Sequence, residues 1–398
     1  MSNLTSRDGA KARKLLDHLY NPKSRGIFFQ LVMLAAILWL GYEVVLNVAH
    51  NLEAQGIASG FGFLDRTAGF DISQTLIPYS NTMSYGRVFW VGLANTLLVA
   101  GLGIVLATII GFIVGAARLS RNWLIAKLAT LYIEVLRNLP PLLMLFVVYF
   151  GVLKNLPSPK ASLELPFSIY LNARGLYMPM AHREPGFGVV IAAALIGIAA
   201  FVALWQWARH RHRLTGHPTP LLLPGLVLVF GLPLVAFVLA GMPLSFDLPV
   251  QGRFNLTGGI VVQPELAALL TGLSLYTAAF IAENVRSGIQ GVPAGQREAA
   301  AALGLKPRQI LWLVVLPQAM RIIVPPLTNQ YLNLTKNSSL AIAIGYPDLV
   351  SVFAGTVLNQ TNQAVEVILI TMSVYLVLSL LTSLAMNIVN VRMSLVER

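Results

Sequence analysis

The stretch EAAAALGLKPRQILWLVVLP, residues 298–317, lies between two long apolar segments. This position predicts a loop at one face of a membrane protein. Its alanine-rich beginning favours a short helix. Gly304 stands where that helix should end, and Pro307 suits the first turn of the next one, because these are the positions that Gly and Pro prefer around helix ends. The sequence thus predicts a short helix across a membrane loop, where a soluble partner could dock.

The composition places the whole chain in a lipid environment. Its 398 residues are 56% hydrophobic and 11% charged, with a mean hydropathy of +0.71, whereas about a quarter of the residues of a soluble domain are charged. Apolar runs recur at the length that a helix needs to cross a bilayer. We therefore predict an all-α polytopic membrane protein with about eight transmembrane helices, at roughly 27–49, 88–117, 124–152, 187–208, 220–241, 263–285, 309–334 and 365–389.

The distribution of basic residues predicts the orientation. Most of the 28 Lys and Arg residues fall in segments that share one side if both termini are cytoplasmic, as the positive-inside rule requires. This places the loop containing Glu298 in the cytoplasm. The first apolar segment is too long for a signal-peptide core and lacks a convincing cleavage site, so we expect it to be a retained anchor. The net charge of +12 then reflects membrane orientation, so we expect no nucleic-acid partner. Because the chain has no cysteine, disulfides and Cys-based metal sites are excluded.

Several motifs resemble one transporter family. The spacing of Glu298, Gly304 and Leu316-Pro317 resembles the signature loop of permease subunits of bacterial ATP-binding-cassette (ABC) importers. Three further pieces are similar to the polar amino acid (histidine/glutamine permease-like) branch, and closest to the larger permease subunit of general L-amino acid uptake systems: YIEVLRNLPPLL at 132–143, ENVRSGIQGVPAGQRE at 283–298, and NQYLNLTKNSSLAIAIGYPDL at 329–349.

The resemblance implies a domain organisation around a core of about five helices. Residues 1–86 would form an anchor helix and a periplasmic loop, 87–153 the first part of the permease core, and 262–398 the second part, with the coupling loop at 288–317. Residues 154–261 depart from the minimal family core as an insert with two extra transmembrane helices.

The resemblance also implies the function and the partners. The chain would be a permease subunit of an inner-membrane importer for L-amino acids, working with an ATPase dimer, a second homologous permease, a periplasmic amino-acid-binding protein and membrane lipid. No Gly-Lys pair followed by Ser or Thr occurs, so this chain lacks the usual phosphate-binding loop. It is therefore expected to be no enzyme and to bind no cofactor, with ATP and Mg bound by the partner ATPase.

Three groups of residues are candidates for this function. The ATPase coupling loop would use Glu298, Ala299, Ala300, Gly304, Leu316 and Pro317. A charged side chain within or near a span costs free energy in the bilayer and therefore suggests an ion pair or a gate. The charged candidates are Glu134, Arg137, Glu283, Arg286, Arg321 and Lys336. Neutral polar residues that could contact substrate are Asn95, Thr96, Asn329, Asn333, Ser338 and Ser339.

Simpler interpretations stay open for the second and third groups. The Glu-x-x-Arg spacing of Glu134 with Arg137, and of Glu283 with Arg286, lets each pair neutralise itself on one helical face, or lets the two units cross-pair. The neutral polar residues could hydrogen-bond between packed spans instead. Arg321 could pair, snorkel or hold a gate, and Lys336 could attract a carboxylate or anchor the span at the interface.

Other interpretations of the sequence concern local structure and mechanism. The pairs Pro140-Pro141 and Pro325-Pro326 should bend their spans. The segment RHRHRLTGHPTP, residues 209–220, fits a basic linker at anionic lipid better than a metal site, because Arg repels cations. An ion-coupled secondary transporter, an ABC permease for another solute and a membrane-embedded enzyme are the alternative functions.

Overall fold

Helices dominate the computed structural model, which describes residues 22–54, 60–217, 219–252 and 255–393. The two termini, whose side of the membrane the sequence predicts, lie outside these ranges. The helices are α1 Pro22–Ala54, α2 Tyr85–Arg118, α3 Trp123–Arg137, α4 Pro141–Phe146, α5 Phe187–Thr215, α6 Leu222–Leu226, α7 Leu232–Leu239, α8 Pro264–Gln290, α9 Ala294–Ala302, α10 Pro307–Ile310, α11 Leu316–Asn337, α12 Leu358–Thr361 and α13 Ala364–Met393.

Short π-helical and 3-10 segments join several of these helices into longer rods. Val147–Val152 continues α4, Val227–Gly231 joins α6 to α7, and Leu311–Val315 joins α10 to α11. Ser338–Ile344 extends α11, and Val350–Val357 leads into α12. Within the described residues, 7 helices are long and apolar enough to cross a membrane, or up to 8 if a bent pair counts as one span. The predicted polytopic helical class is confirmed.

The third predicted span is the bent pair. Trp123–Arg137 and Pro141–Asn155 meet at 111°. Pro140 is extended, with a ψ of 140°, because the helical conformation is disfavoured for a residue that precedes proline. Pro141 then begins α4. The other proline pair behaves differently: Pro325 and Pro326 lie inside α11, which continues through them without a break.

The most extensive contact between two helices joins α2 to α8. A Cβ atom added to Gly111 would lie 2.5 Å from Cγ2 of Ile281, and one added to Gly115 would lie 2.7 Å from the carbonyl oxygen of Ala282. Only glycine allows the two backbones to approach so closely. α11 packs against both α8 and α13, while none of the apolar part of α1 is buried.

The insert combines a helical hairpin with short strands that the sequence analysis did not predict. The strands are β1 Leu163–Leu165, β2 Ile169–Asn172, β3 Gly175–Met178, β4 Met180–Arg183, β5 Leu244–Asp247, β6 Val250–Gln251, β7 Leu256–Thr257 and β8 Ile260–Val262. They form an antiparallel sheet in the order β1-β2-β3-β8 and two separate pairs, β4-β5 and β6-β7. β8 leads directly into α8, so the sheet attaches the insert to the helical core.

Candidate coupling surface and substrate cavity

The loop between α8 and α11 ends its first helix in a defined hydrogen-bonded turn. The backbone N–H of Leu305 donates to the carbonyl of Ala300 at 3.3 Å, and that of Gly304 donates to Ala301 at 2.9 Å. Gly304 has a φ of +76°, the left-handed conformation that glycine adopts without strain. This pattern is a Schellman motif, which ends a helix and reverses the chain.

One face of this loop is anchored and the other is free. Ala300 and Val292 are buried, and Val292 packs in the same cluster as Val315 and Ala319 at the base of α11. In contrast, Glu298 and Ala299 are exposed, and Leu303 at the tip is 82% exposed. An apolar side chain held out in this way by a fixed backbone suits docking to another protein.

The loop is also tied to the spans on both sides. Arg297 donates to the carbonyl of Ile289 in α8 at 2.6 Å. The backbone N–H of Lys306 donates to Oε1 of Gln309 at 2.9 Å, which caps the start of α10. Leu316 begins α11, with Pro317 in its first turn. The loop is therefore attached directly to both α8 and α11.

Glu283 is the centre of an ion-pair network at the same end of α8. It pairs with Arg286 at 2.5 Å and also with Arg118 from the end of α2. Arg286 donates onward to Gln290. The sequence spacing indicated the first pair, but not Arg118, because nothing in the sequence shows that the end of α2 reaches α8.

The second Glu-x-x-Arg unit is arranged differently. Among the described residues, neither Glu134 nor Arg137 forms an ion pair within 4.0 Å. The guanidinium carbon of Arg137 instead lies 5.4 Å from the centroid of the Phe280 ring. Arg321 and Lys336 are likewise outside the ion pairs of this part of the chain.

Three of the neutral candidates bond to backbone rather than line a cavity. Asn95, Thr96 and Ser338 are fully buried. Asn95 donates to the carbonyls of Gln74 at 2.9 Å and Pro347 at 2.8 Å. The hydroxyl of Thr96 accepts from the backbone N–H of Leu349 at 3.0 Å, and that of Ser338 donates to the carbonyl of Thr335 at 2.8 Å.

The turn that Asn95 and Thr96 hold also contains an acidic residue that sequence reasoning missed. Asp348 is fully buried beyond the end of the α11 rod, and its Oδ1 accepts from the backbone N–H of Ser351 at 2.9 Å. Burial raises the pKa of the Asp348 carboxyl to about 7. The role of this group inside the turn is to cap the π-helical segment that follows it.

Asn333 does line a cavity. This cavity has a volume of about 310 Å³ and lies against the break between α3 and α4, where Pro141 forms part of its wall. Its polar groups come from α8 and α11, and the lining side chains are Tyr276, Thr277, Phe280, Gln330, Asn333 and Asn337. The sequence carries a signal for three of them, because Gln330, Asn333 and Asn337 repeat at helical spacing on one face of α11.

The remaining candidates open onto two other surfaces. Asn329 lines a groove of about 460 Å³ between α11 and α13 that includes Asn387 and Asn390. Lys336 and Ser339 line a pocket of about 530 Å³ with Tyr375 of α13. No group of three or more His, Cys, Asp or Glu side chains that could hold a metal ion occurs in the part of the chain that the structure describes.

Comparison with known proteins establishes the family. Residues 214–395 match the family of binding-protein-dependent transport system inner membrane components. The chain is 55% identical to the general L-amino acid transport system permease protein AapQ of Rhizobium johnstonii, over 96% of this chain and 95% of that protein. This chain is a permease subunit of an ABC transporter.

Two further relatives of this permease have similar names. A putative amino-acid ABC transporter permease protein of Escherichia coli, YhdX, is 52% identical over 95% of this chain and 96% of its own length. BztB of Rhodobacter capsulatus, described as a glutamate/glutamine/aspartate/asparagine transport system permease protein, is 41% identical over 96% of each. A crystal structure of an amino acid ABC transporter with histidines aligns at 20% identity with a TM-score of 0.46, over 77% of this chain and 95% of that one.

Proposed function

We propose that this permease subunit carries L-amino acids into the cytoplasm across a bacterial inner membrane, driven by ATP hydrolysis on a partner ATPase dimer. Relatives between 41% and 55% identical along almost the whole chain are named as amino acid permeases, which supports this cargo. A second homologous permease and a periplasmic amino-acid-binding protein complete the proposed assembly. ATP and Mg are bound by the ATPase, and this chain supplies the mechanical part.

The observation that carries the proposal is the exposed apolar tip beside Gly304. Leu303 is 82% exposed although the backbone around it is fixed by the Schellman motif and by the buried Ala300. In this proposal the tip, together with Glu298 and Ala299, docks into a cleft of the ATPase. Movement of the ATPase would then displace the base of α11 through Leu316 and Pro317.

The cavity at the α3–α4 break is the proposed route of the amino acid. Its amide and hydroxyl groups can hydrogen-bond an ammonium and a carboxylate, and its apolar wall can accept side chains of different kinds. Discontinuous helices near the middle of the membrane are where transporters often bind substrate. The Glu283 network with Arg118 and Arg286 would form the closure on the loop side.

Two substitutions at one position test the coupling proposal. Gly304→Val places a β-branched side chain at a positive φ, which costs roughly 1–2 kcal/mol, so we expect the loop to deform and ATP-driven uptake in proteoliposomes to be lost. Gly304→Asn is the control, because Asn tolerates left-handed backbone, and it should retain most of the uptake. If the Val variant transports as well as the wild type and couples ATP hydrolysis normally, this loop is not the coupling element.

A further inference from the structure

The basic end of the insert hairpin is not used by the proposed transport mechanism. α5 ends in alternating Arg and His residues, and a cavity of about 340 Å³ lies between this end and the start of α6. It is lined by Trp205, Arg209, His212, Arg213, Thr219 and Leu221. Two guanidinium groups, an imidazole and a hydroxyl therefore meet beside an indole ring and an aliphatic side chain.

Within the described part of the chain, the arginines of this segment form no ion pair with an acidic residue. Residues 185–246 contain no Asp or Glu. The ion pairs of the described residues include none of Arg209, Arg211 and Arg213. Positive groups that converge on a cavity without a counter-charge repel one another, and an anion bound between them removes that repulsion.

Stacking on an aromatic ring determines how deep in the membrane the Arg209 guanidinium lies. The guanidinium carbon of Arg209 lies 3.7 Å from the centroid of the Trp205 ring. Because Trp205 is one turn earlier in α5, this contact folds the arginine back along the helix towards the membrane instead of extending it into water. Tryptophan itself favours the headgroup level of a bilayer, which is the depth of lipid phosphates.

The hairpin is rigid at this end and surrounded by lipid. A Cβ atom added to Gly225 would lie 2.7 Å from Cε2 of Phe201, so α5 and α6 are in close contact just inside the cavity. Only 6% of the apolar window of each hairpin span is buried. The cavity therefore has a fixed width, and membrane lipid is the ligand present beside it at the highest concentration.

The connections of the hairpin place the cavity on the side of the coupling loop. α5 begins just after β4, α7 ends just before β5, and these two strands pair. β3, which ends two residues before β4 begins, pairs with β8, and β8 leads into α8. Since α5 and α8 each cross the membrane once from the strand side, the end of α5 and the whole of α9 lie on the same opposite side.

We propose that this cavity binds the phosphate headgroup of an anionic phospholipid, such as phosphatidylglycerol, from the leaflet that faces the coupling loop. Arg209 and Arg213 contact the phosphate, Thr219 and His212 hydrogen-bond to the headgroup, and Trp205 and Leu221 contact the glycerol and the upper acyl chains. That this leaflet is the cytoplasmic one rests on the proposed function, whereas binding itself does not.

The test measures lipid retention by the full-length chain in detergent, using native mass spectrometry during titration with phosphatidylglycerol. Arg209→Gln and Arg213→Gln should each weaken the affinity at least about fivefold. The matched control is Arg211→Gln, which removes the same charge from the same turn. Arg211 does not line the cavity and lies over Trp207, with 5.4 Å between its guanidinium carbon and the ring centroid. This control should change the affinity less than about twofold.

Further titrations distinguish the sources of phosphate and the kinds of attraction. Phosphatidylcholine should bind weakly, and inorganic phosphate should not displace the bound lipid. An equal loss of affinity in all three arginine variants would show a general charge attraction without a specific site, and it would overturn the proposal. Retention of phosphatidylcholine as strong as that of phosphatidylglycerol would also overturn it. Displacement by inorganic phosphate would assign the cavity to a soluble anion instead. None of these measurements requires transport, so they remain informative even if the proposed cargo is wrong.

Discussion

Asn95 and Asn333 have the same side chain in neighbouring spans, but their surroundings give them different tasks. Asn95 is fully buried, and its side-chain amide donates hydrogen bonds to the carbonyls of Gln74 and Pro347. Asn333 is exposed to the cavity at the α3–α4 break. The first therefore holds a turn in place, while the second faces the cavity that we propose for the substrate.

This difference predicts opposite effects of the same substitution. Asn95→Ala leaves the buried carbonyl of Pro347 and the half-buried carbonyl of Gln74 without this donor, and it should destabilise the protein by about 1–3 kcal/mol. Asn333→Ala should leave the melting temperature in detergent nearly unchanged but raise the KM for uptake. Thermal melting and uptake assays on the two variants separate these effects. A lower melting temperature for Asn333→Ala, with unaltered uptake, would contradict the assignment of the cavity.

The sequence predicted side-chain chemistry better than side-chain neighbours. It identified Gly304 because the need for a left-handed residue after a helix is local, and the φ of +76° agrees. It could not separate Asn95 from Asn333, since both are amides in apolar spans. It also missed Arg118 and Asp348, whose environments depend on contacts with distant parts of the chain.

At the scale of elements, Glu283 joins two helices. Its carboxylate accepts from Arg286 in α8 and from Arg118 in α2, beside the glycines at which the two helices pack most closely. Glu134 on α3 has the same Glu-x-x-Arg spacing but no ion pair among the described residues. One sequence pattern thus produces a link between helices in one place and none in the other.

We expect Glu283→Gln to destabilise the chain by about 2 kcal/mol, because two guanidinium groups lose the negative charge of the carboxylate with which they pair. Glu134→Gln, which removes the same charge from the same pattern, should have little effect. Chemical or thermal unfolding in micelles measures both. Equal stability losses would mean that the Glu283 network adds nothing beyond the general effect of removing one acidic residue.

The lengths of the apolar segments predicted the transmembrane helices, but the sequence predicted helix breaks and strands less well. Both proline pairs suggested a bend, yet only Pro140-Pro141 interrupts its span, because α11 is supported on two sides by α8 and α13. The strands of the insert have 2 to 4 residues. Segments this short leave hardly any alternation of polar and apolar residues, so pairing between distant segments decides their structure.

At the scale of the whole molecule, the insert hairpin is nearly independent of the core. Its helices contact each other more than they contact the rest of the permease. Its two ends meet at the β4–β5 pair, where Arg183 lies opposite Leu244. Residues 184–243 can therefore be replaced by Asn-Gly, which forms a two-residue turn between antiparallel strands.

We expect this shortened chain to fold, to assemble and to retain ATP-driven uptake, while losing retention of anionic lipid. Size-exclusion chromatography, uptake and native mass spectrometry provide the three measurements. A permutation of the hairpin sequence that keeps its length and hydropathy but moves the arginines elsewhere serves as the control. Failure of the shortened chain to fold would show that the hairpin is an integral part of the core.

The absence of cysteine in the 398 residues makes the orientation directly testable. Phe167, between β1 and β2, is 86% exposed, and Leu303 at the loop tip is 82% exposed. In spheroplasts expressing the chain without its ATPase, a membrane-impermeant maleimide should label Phe167→Cys at once. It should label Leu303→Cys only after permeabilisation, because we place that loop in the cytoplasm. The reverse pattern would invert the proposed topology.

The near-contact between Gly111 and Ile281 also limits how this transporter can change shape. Helices whose backbones touch across glycines, and whose ends share a carboxylate, resist sliding or tilting against each other. We expect α2 and α8 to travel as one rigid body through the transport cycle. The change between inward-open and outward-open states then has to occur where helices pack less closely, and we expect the bend at Pro140 to be the hinge.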